Sequence, residues 1–456
     1  MNPRQMRNWS VCLIALTATT LRSLGAQEAV YLEEAKSIDA RVADLLSRLT
    51  MEEKVAMVHA KSTFAVEGVP RLGIPDLWMD DGPMGVRQEV GEGFRNLNRQ
   101  DDFATAMPAT IGLAATFNVD LATAYGSTIG QEAKQRHKNI MLGPSLNIQR
   151  TPLCGRNFEY MGEDPFLTAR IAVHYIQGEQ AQGVASCAKH FAANNQENQR
   201  GSINVEMDER TLREIYLPAF RACVREAEVL SVMGAYNRFR GQHCCENDYL
   251  LKKVLKDEWG FKGLVMSDWG GVHSTELAAL NGMDMEMGSR PPYTNNYLAN
   301  PFLEGLKSGR FPMSALDDKV RRHLRVMFKL NLIHDPAATP SSSEPEGVLS
   351  PKAHQEIARR VAEESIVLLK NENLLPLDPA KIKTLAIIGV NAVSKFASGG
   401  GAANVKAPYE ITALEGVSNR IGSGVKIIYA PGYNPPAGRG RRDRVTPWPR
   451  RLPTPI

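Results

Sequence analysis

After the first 26 residues the sequence has no uninterrupted apolar run of the roughly 18 or more residues that a membrane-spanning helix needs, which excludes a later transmembrane helix. Cysteine is scarce. Cys154, Cys187, Cys223, Cys244 and Cys245 follow Cys12, and none of them stands at zinc-ligand spacing. Without Cys12, five thiols cannot all pair internally; most are expected to be buried thiols, with room for a disulfide whose pair the sequence does not name. His137, His174, His190, His243 and His273 lack the paired helical spacing of metal ligands, so no metal is expected. A phosphate-binding loop is missing too, because Gly399-Gly400-Gly401 is not continued by Lys-Ser/Thr, and no cofactor is expected.

An excess of one charge is also absent from the body of the chain. The formal +4 comes from the ends: Arg4, Arg7 and Arg22 at the start, and six Arg against one Asp in residues 434–456. Without those contributions of three and five, residues 27–433 carry a net −4. A nucleic-acid partner therefore finds no support.

What is present begins with a leader. Arg4 and Arg7 precede the short apolar run Val11-Cys12-Leu13-Ile14-Ala15-Leu16, and small residues surround Gly25-Ala26. This reads as a signal peptide over residues 1–26 and a secreted or periplasmic protein with no lasting membrane insertion.

Residues 27–334 alternate short apolar runs with helical patterns, the mark of βα units around a parallel sheet. Val42, Leu45, Leu46 and Leu49 form one helical stripe, and Thr50 with Glu53 reads as a capping box that opens a second helix. Strands are expected at residues 74–79, 109–115, 140–146, 184–191, 230–236, 263–268 and 283–287. A helix is expected over Thr211 to Arg225. Seven strands nearly fill a TIM-like (β/α)8 barrel, and with no eighth in view the barrel is expected to be irregular. Pro336, Pro340, Pro345 and three serines mark a linker over residues 335–349. Ser350 and Pro351 then read as N-cap and first-turn proline of a new helix. Strands at residues 383–389 and 425–430 flank a helix at residues 413–421, so residues 350–433 read as an incomplete α/β sandwich domain. Residues 434–456 form a Pro/Arg-rich tail without apolar periodicity, expected to be disordered.

Polar groups cluster at the expected strand ends: Asp80-Asp81, Arg150, Arg156, Lys189-His190, Tyr236 and Asp268-Trp269. One buried ionisable group is usually structural, but several aimed at one barrel mouth suggest a site. Carboxylates, arginines, a lysine and a histidine suit a dense ring of hydroxyls, and Trp269 offers a flat face to a sugar.

These residues fall within long motifs in a fixed order: Asp81-Gly-Pro-Met-Gly-Val-Arg87; Gly155-Arg156-Asn157-Phe158-Glu159; Gly162-Glu163-Asp164-Pro165; Lys189-His190-Phe191-Ala-Ala-Asn-Asn-Gln-Glu-Asn-Gln-Arg200; Met233-Gly-Ala-Tyr236-Asn237; and Ser267-Asp268-Trp269. From about residue 40 to 433 the chain resembles the glycoside hydrolase family 3 β-glucosidases. The resemblance implies a retaining glycosidase that removes terminal β-D-glucosyl residues from a β-glucoside or oligosaccharide, with Asp268 as nucleophile. It places Asp81 and Arg87 on outer hydroxyls of the sugar, Arg156, Lys189, His190 and Arg200 on further hydroxyls, Tyr236 beside the nucleophile, and Trp269 along the pocket. Nearby cations are expected to lower the pKa of Asp268. The competing role for Asp268 is a helix N-cap.

The departures from the family pattern also carry weight. In that family the acid/base is a Glu of the second domain, on a segment past the point where this sequence turns to Pro and Arg. The expectation is therefore a C-terminally truncated β-glucosidase that binds glucose-like sugars and turns over natural β-glucosides feebly. A β-xylosidase of the same family and an inactive sugar-binding remnant are the alternatives. The β-N-acetylglucosaminidase branch is disfavoured because Lys189-His190-Phe191 continues into Ala-Ala-Asn-Asn instead of the Pro-Gly-His-Gly that carries a His-Asp dyad. A barrel aldolase with Lys189 as Schiff-base lysine is the reading from another enzyme class.

Overall fold

The computed structural model describes residues 29–334, 349–397 and 399–433; the expected leader (1–26), nearly all of the expected linker and the tail (434–456) lie outside the described residues. Two compact units emerge. The first comprises the chain through Ile366 together with Gly399–Lys406, and the second comprises Val367–Ser398 and Ala407 onward.

The first unit is a barrel. Six strands, β1 (Ala65–Val66), β2 (Leu77–Asp81), β3 (Ile140–Leu142), β4 (Ala185–Phe191), β5 (Ser231–Gly234) and β6 (Leu264–Ser267), pair in that order. β1 is antiparallel to β2, and every later pair is parallel. Every residue of β3 to β6 is buried, so these strands show no alternation of apolar and polar side chains.

Two short segments close the ring. Ser267 N donates to Met285 O at 2.9 Å, Glu286 N to Val58 O at 3.0 Å, and Ala60 N to Glu286 O at 2.9 Å. Ala60 in turn bridges Val66 of β1. Residues 283–287 and 58–60 thus complete eight staves, of which β1 alone runs against the rest. The irregular barrel expected from the sequence is present, and its missing stave is the pair of bridges at His59-Ala60.

One expected strand is a helix. Residues 109–115 form Thr110–Ala115, with Thr110, Leu113 and Ala114 buried at a spacing of three and four. The apolar run is too short for periodicity alone to separate the two states, and Leu and Ala favour the helix. Residues 283–287 form single bridges instead of a regular strand.

The helices follow their local signals more closely. α1 (Ile38–Arg48) buries Val42, Leu45 and Leu46, and α2 (Met51–Ala56) starts with both bonds of the Thr50/Glu53 capping box. Asn118 caps α3 (Val119–Gln135), and Asp164 caps α4 (Pro165–Gln180) with proline at the first turn. The helix expected over residues 211–225 is interrupted. Leu212–Tyr216 form a wide π turn closed by Leu217 N on Leu212 O at 3.0 Å, and Pro218, which has no N–H, restarts the helix as α5 (Pro218–Arg225).

After the expected linker, α6 (Lys352–Glu364) docks on the barrel. His354 Nδ1 lies 2.7 Å from the buried Glu132 carboxylate, which also accepts Thr105 N at 2.7 Å and Ser350 N at 3.2 Å. The compact division therefore falls after Ile366 and not at residues 335–349. Ser350 does not cap α6. Its φ is +53°, and Pro351 stands at the cap position without a side-chain bond.

In the second unit, β7 (Thr384–Ile388) and β8 (Lys426–Ala430) pair in parallel and flank α7 (Ala413–Ile421), as expected. Ile388 and Ile428 remain 71% and 46% exposed, so this two-stranded sheet has an uncovered apolar face. Among the described residues no helix is long and apolar enough to cross a membrane. The five cysteines from Cys154 onward are buried free thiols.

The α3–α4 contact offers a direct test of the packing. A Cβ added at Gly178 would stand 2.1 Å from Thr123 O, and one at Gly126 would stand 2.0 Å from Tyr175 O. Gly178→Ala must push the helices apart and is expected to destabilise the protein by about 1–3 kcal/mol. Urea denaturation reads this, and an unchanged midpoint would contradict the close approach.

Candidate active site

All nine residues singled out from the sequence line one cavity of about 600 Å³ at the C-terminal ends of the barrel strands: Asp81, Arg87, Arg156, Lys189, His190, Arg200, Tyr236, Asp268 and Trp269. Two other strand-end candidates lie outside it. Alternation along β2 turns Asp80 away from Asp81, toward Arg136 at 3.4 Å and Lys138 at 3.7 Å. Burial outweighs those cations and pushes Asp80 up to about 7. Arg150 bonds to the Tyr216 hydroxyl instead.

Asp81 ends β2, and the turn after it brings Arg87 back. Gly82 sits at φ +146°, where a Cβ would come within 2.0 Å of Gly85 O, so the Asp-Gly-Pro-Met-Gly spacing is a steric requirement of this turn. Arg87 Nη1 then donates to Asp81 Oδ2 at 2.9 Å, and Lys189 Nζ, from β4, donates to Oδ1 at 3.4 Å. With its ammonium on a carboxylate, Lys189 is arranged as an ion-pair partner and not as the neutral amine that a Schiff-base mechanism requires.

Arg156 donates through Nε to Glu159 Oε1 at 2.5 Å and through Nη2 to His190 Nε2 at 3.0 Å. Glu159 also accepts Ser145 Oγ at 2.8 Å. Burial opposes its ionisation, but Arg156 and Lys189 together hold its carboxyl below the ordinary range. Burial drives His190 down, as do Arg156, Lys189 and Arg200, so the ring is neutral. Because Nε2 accepts from Arg156, the hydrogen-bond network assigns the proton to Nδ1, facing Asn147 Oδ1 at 3.3 Å.

Asp268 follows directly on β6. Its Oδ1 accepts Trp269 N at 2.8 Å, its Oδ2 lies 3.8 Å from His190 Nε2, and Tyr236 lines the cavity beside it. The expectation that cations would lower its pKa is reversed. Burial, the largest influence, raises it despite Arg156, Tyr236 and Lys189. Nor is Asp268 a helix cap: the next helix begins at Thr275 and is capped by Ser274. The Trp269 indole is fixed by Nε1 on Thr63 O at 2.9 Å and by edge contact with Phe64 at 5.2 Å.

The sequence reading missed several lining residues. Phe94 sits at φ +59° with its ring 6.3 Å from Trp269, and Phe158, Glu159 and Glu197 complete the lower wall. Gly399–Ala402 form another wall, although they come far later in the chain. Their segment is tied to the barrel by Gln88 N on Asn404 O, Ala104 N on Lys406 O, and Lys406 Nζ on Asp102 at 2.8 Å. A Cβ at Gly399 would stand 2.9 Å from the Phe158 ring, so the triple glycine permits contact with an aromatic wall. The unusual Gly399-Gly400-Gly401 run was the available signal, and it was weighed only as a phosphate loop.

Residues 35–326 match the model of the glycosyl hydrolase family 3 N-terminal domain, and residues 366–446 match that of its C-terminal domain. The chain belongs to glycosyl hydrolase family 3. Among family 3 relatives, it is 43% identical to a beta-glucosidase of Bacteroides ovatus across 92% of this chain and 57% of that protein. It is 38% identical to the thermostable beta-glucosidase B of Acetivibrio thermocellus across 85% of this chain and 50% of that protein. The structure of beta-glucosidase 3B from Thermotoga neapolitana in complex with alpha-D-glucose superposes with a TM-score of 0.75 at 34% identity, covering 85% of this chain and 55% of that one. The chain therefore spans roughly half the length of these family 3 proteins. The second match starts where the second compact unit starts, at residues 366–367.

Removing Glu159 would leave the Arg156 guanidinium in a buried site without its carboxylate. Glu159→Ala is expected to cost about 3–5 kcal/mol in chemical denaturation, the range for a broken buried pair. A loss below about 1 kcal/mol would place the pair among solvent-screened contacts.

Proposed function

We propose that this chain is a retaining glycosidase that acts on terminal β-D-glucosyl residues, with Asp268 as its nucleophile. One observation carries the reading: of the four carboxylates lining the cavity, Asp268 alone has no lysine or arginine within ion-pair distance among the described residues. Its Oδ2 is thus free of a cation while its Oδ1 is fixed by Trp269 N. Family membership and the beta-glucosidase relatives support the same substrate class.

In this mechanism Asp268 attacks the anomeric carbon and forms a covalent glycosyl–enzyme as the bond to the aglycone oxygen breaks. Water then displaces the carboxylate and releases the sugar with retained configuration. Asp81, Arg87, Arg156, Lys189, His190 and Arg200 hold the hydroxyls, and Trp269 lies along the apolar face of the ring.

Protonation of the leaving oxygen is the weak link among the described residues. Asp81, Glu159 and Glu197 already accept bonds from arginine or lysine, so each is arranged to fix a cation and not to donate a proton. With only these groups at the leaving oxygen, aglycones that leave without a proton are favoured. General acid/base help is worth roughly 10²–10⁴-fold, and cellobiose is expected to lag an activated aryl glucoside by about that margin. Equal turnover of the two would refute this.

The nucleophile itself is tested with 2,4-dinitrophenyl 2-deoxy-2-fluoro-β-D-glucoside. One equivalent of dinitrophenolate and a labelled peptide containing Asp268 are expected; no label on that peptide in folded protein sinks the assignment. Faster labelling by the corresponding xyloside would move the reading to β-xylosidase. Because burial raises the Asp268 pKa, the carboxylate form is lost as pH falls through a value above the ordinary 3.8. The labelling rate should therefore show an acid limb above that value, and a limb at or below it would contradict the burial argument.

A further inference from the structure

The cavity wall carries four cations, Arg87, Lys189, Arg156 and Arg200, against four carboxylates. Arg87 and Lys189 share Asp81, Arg156 is held by Glu159, and Arg200 is held by Glu197. Three of these cations have side chains at most 14% exposed, and packing restricts where they can go. Arg200 differs. Its side chain is 39% exposed and stands on the loop after β4, the least enclosed of the four.

From these contacts we infer that Glu197 is a positioning residue, which holds the Arg200 guanidinium on the face of the Tyr236 ring and away from the Asp268 carboxylate. The inference rests on the reading of Asp268 as nucleophile.

Three contacts support it. Arg200 Nη1 donates to Glu197 Oε2 at 2.6 Å, and the guanidinium carbon lies 4.5 Å from the centre of the Tyr236 ring. The other Glu197 oxygen accepts Asn194 Nδ2 at 2.9 Å. Asn194 is buried, and the same nitrogen lies 3.3 Å from the Tyr160 hydroxyl. Glu197 is therefore anchored from beneath, unlike a casual surface pair. Glu197, Arg200 and Tyr236 thus form a line of contacts, and Tyr236 lines the same cavity as Asp268, whose charge raises the tyrosine's pKa after burial.

The physical reason for such a holder is the nucleophile's isolation. A buried carboxylate that no guanidinium or ammonium bonds directly is open to a guanidinium, which can bind it through two parallel N–H bonds. Those bonds would occupy the lone pairs needed for attack and lower the nucleophilicity of the oxygen. Held on the tyrosine face, the same cation instead polarises the phenol beside Asp268.

The test is a double-mutant cycle in the full chain, read as the rate of labelling by the 2-fluoro glucoside across pH for wild type, Glu197→Gln, Arg200→Ala and the double variant. Glu197→Gln is expected to label at least roughly tenfold more slowly, the effect of one charge-assisted hydrogen bond. Its acid limb is expected to move to lower pH, because Arg200 on Asp268 favours the ionised form. In the Arg200→Ala background the same change should have no further effect. Glu197→Ala, read in the same way, serves if Glu197→Gln does not fold. A wild-type rate and pH profile in the single variant, or equal slowing in both backgrounds, overturns the inference. The two failures are distinguishable: absence of label at Asp268 in wild type refutes the nucleophile, whereas a labelled wild type with an indifferent Glu197 variant refutes only the positioning role.

Discussion

The mouth of this barrel depends on burying charge only in matched sets. A lone ion in a poorly solvated site costs several kcal/mol, and each guanidinium or ammonium lining the cavity has a carboxylate within reach. Arg87 and Lys189 converge on Asp81, and Arg156 lies on Glu159. The same requirement recurs behind β2, where Arg136 and Lys138 face Asp80 and Glu89. Once those sets are closed, Asp268 is the one cavity carboxylate with no lysine or arginine within ion-pair distance among the described residues, and the nucleophilic role proposed for it rests on that position.

The scaffold makes this arrangement affordable in geometry. Parallel strands point their C-terminal residues the same way, so side chains more than a hundred positions apart, such as Asp81 and Lys189, meet without a special loop. Neutral groups fill the intervals: His190 accepts from Arg156, and Asn147 pins both the backbone and the ring of His190. The result is a cavity whose polar lining is mostly fixed before any ligand enters, which favours binding through preformed hydrogen bonds.

Much of this was legible in the sequence, for identifiable reasons. The Asp81–Arg87, Arg156, Lys189–His190 and Ser267–Trp269 segments are written contiguously, and all nine residues reach the cavity. The Thr50/Glu53 cap and the stripe of α1 are local signals and hold locally. What was not legible depended on distant partners. The stave at residues 58–60 exists only as bridges to Glu286 and Val66, and the helix at residues 110–115 has the same apolar content as a buried strand. The sign of the Asp268 shift needed its burial as well as its neighbours, and only the former is invisible in a list of motifs. Glu159 and Glu197 lay inside quoted motifs but were passed over, because a carboxylate that holds an arginine looks in sequence like any other acidic residue.

The glycine wall at residues 399–402 has a consequence for biogenesis. The ribosome releases every stave of the barrel by Met287 and every charged group of the cavity by Asp268, but Gly399 follows only after residues 367–398, which belong to the other compact unit. The enclosing segment thus reaches a barrel whose strands have already been synthesised. In vectorial synthesis the wall at residues 399–402 is therefore the last part of the cavity lining to be made, and a nascent chain that ends before residue 399 has every charged group of the cavity but not this wall.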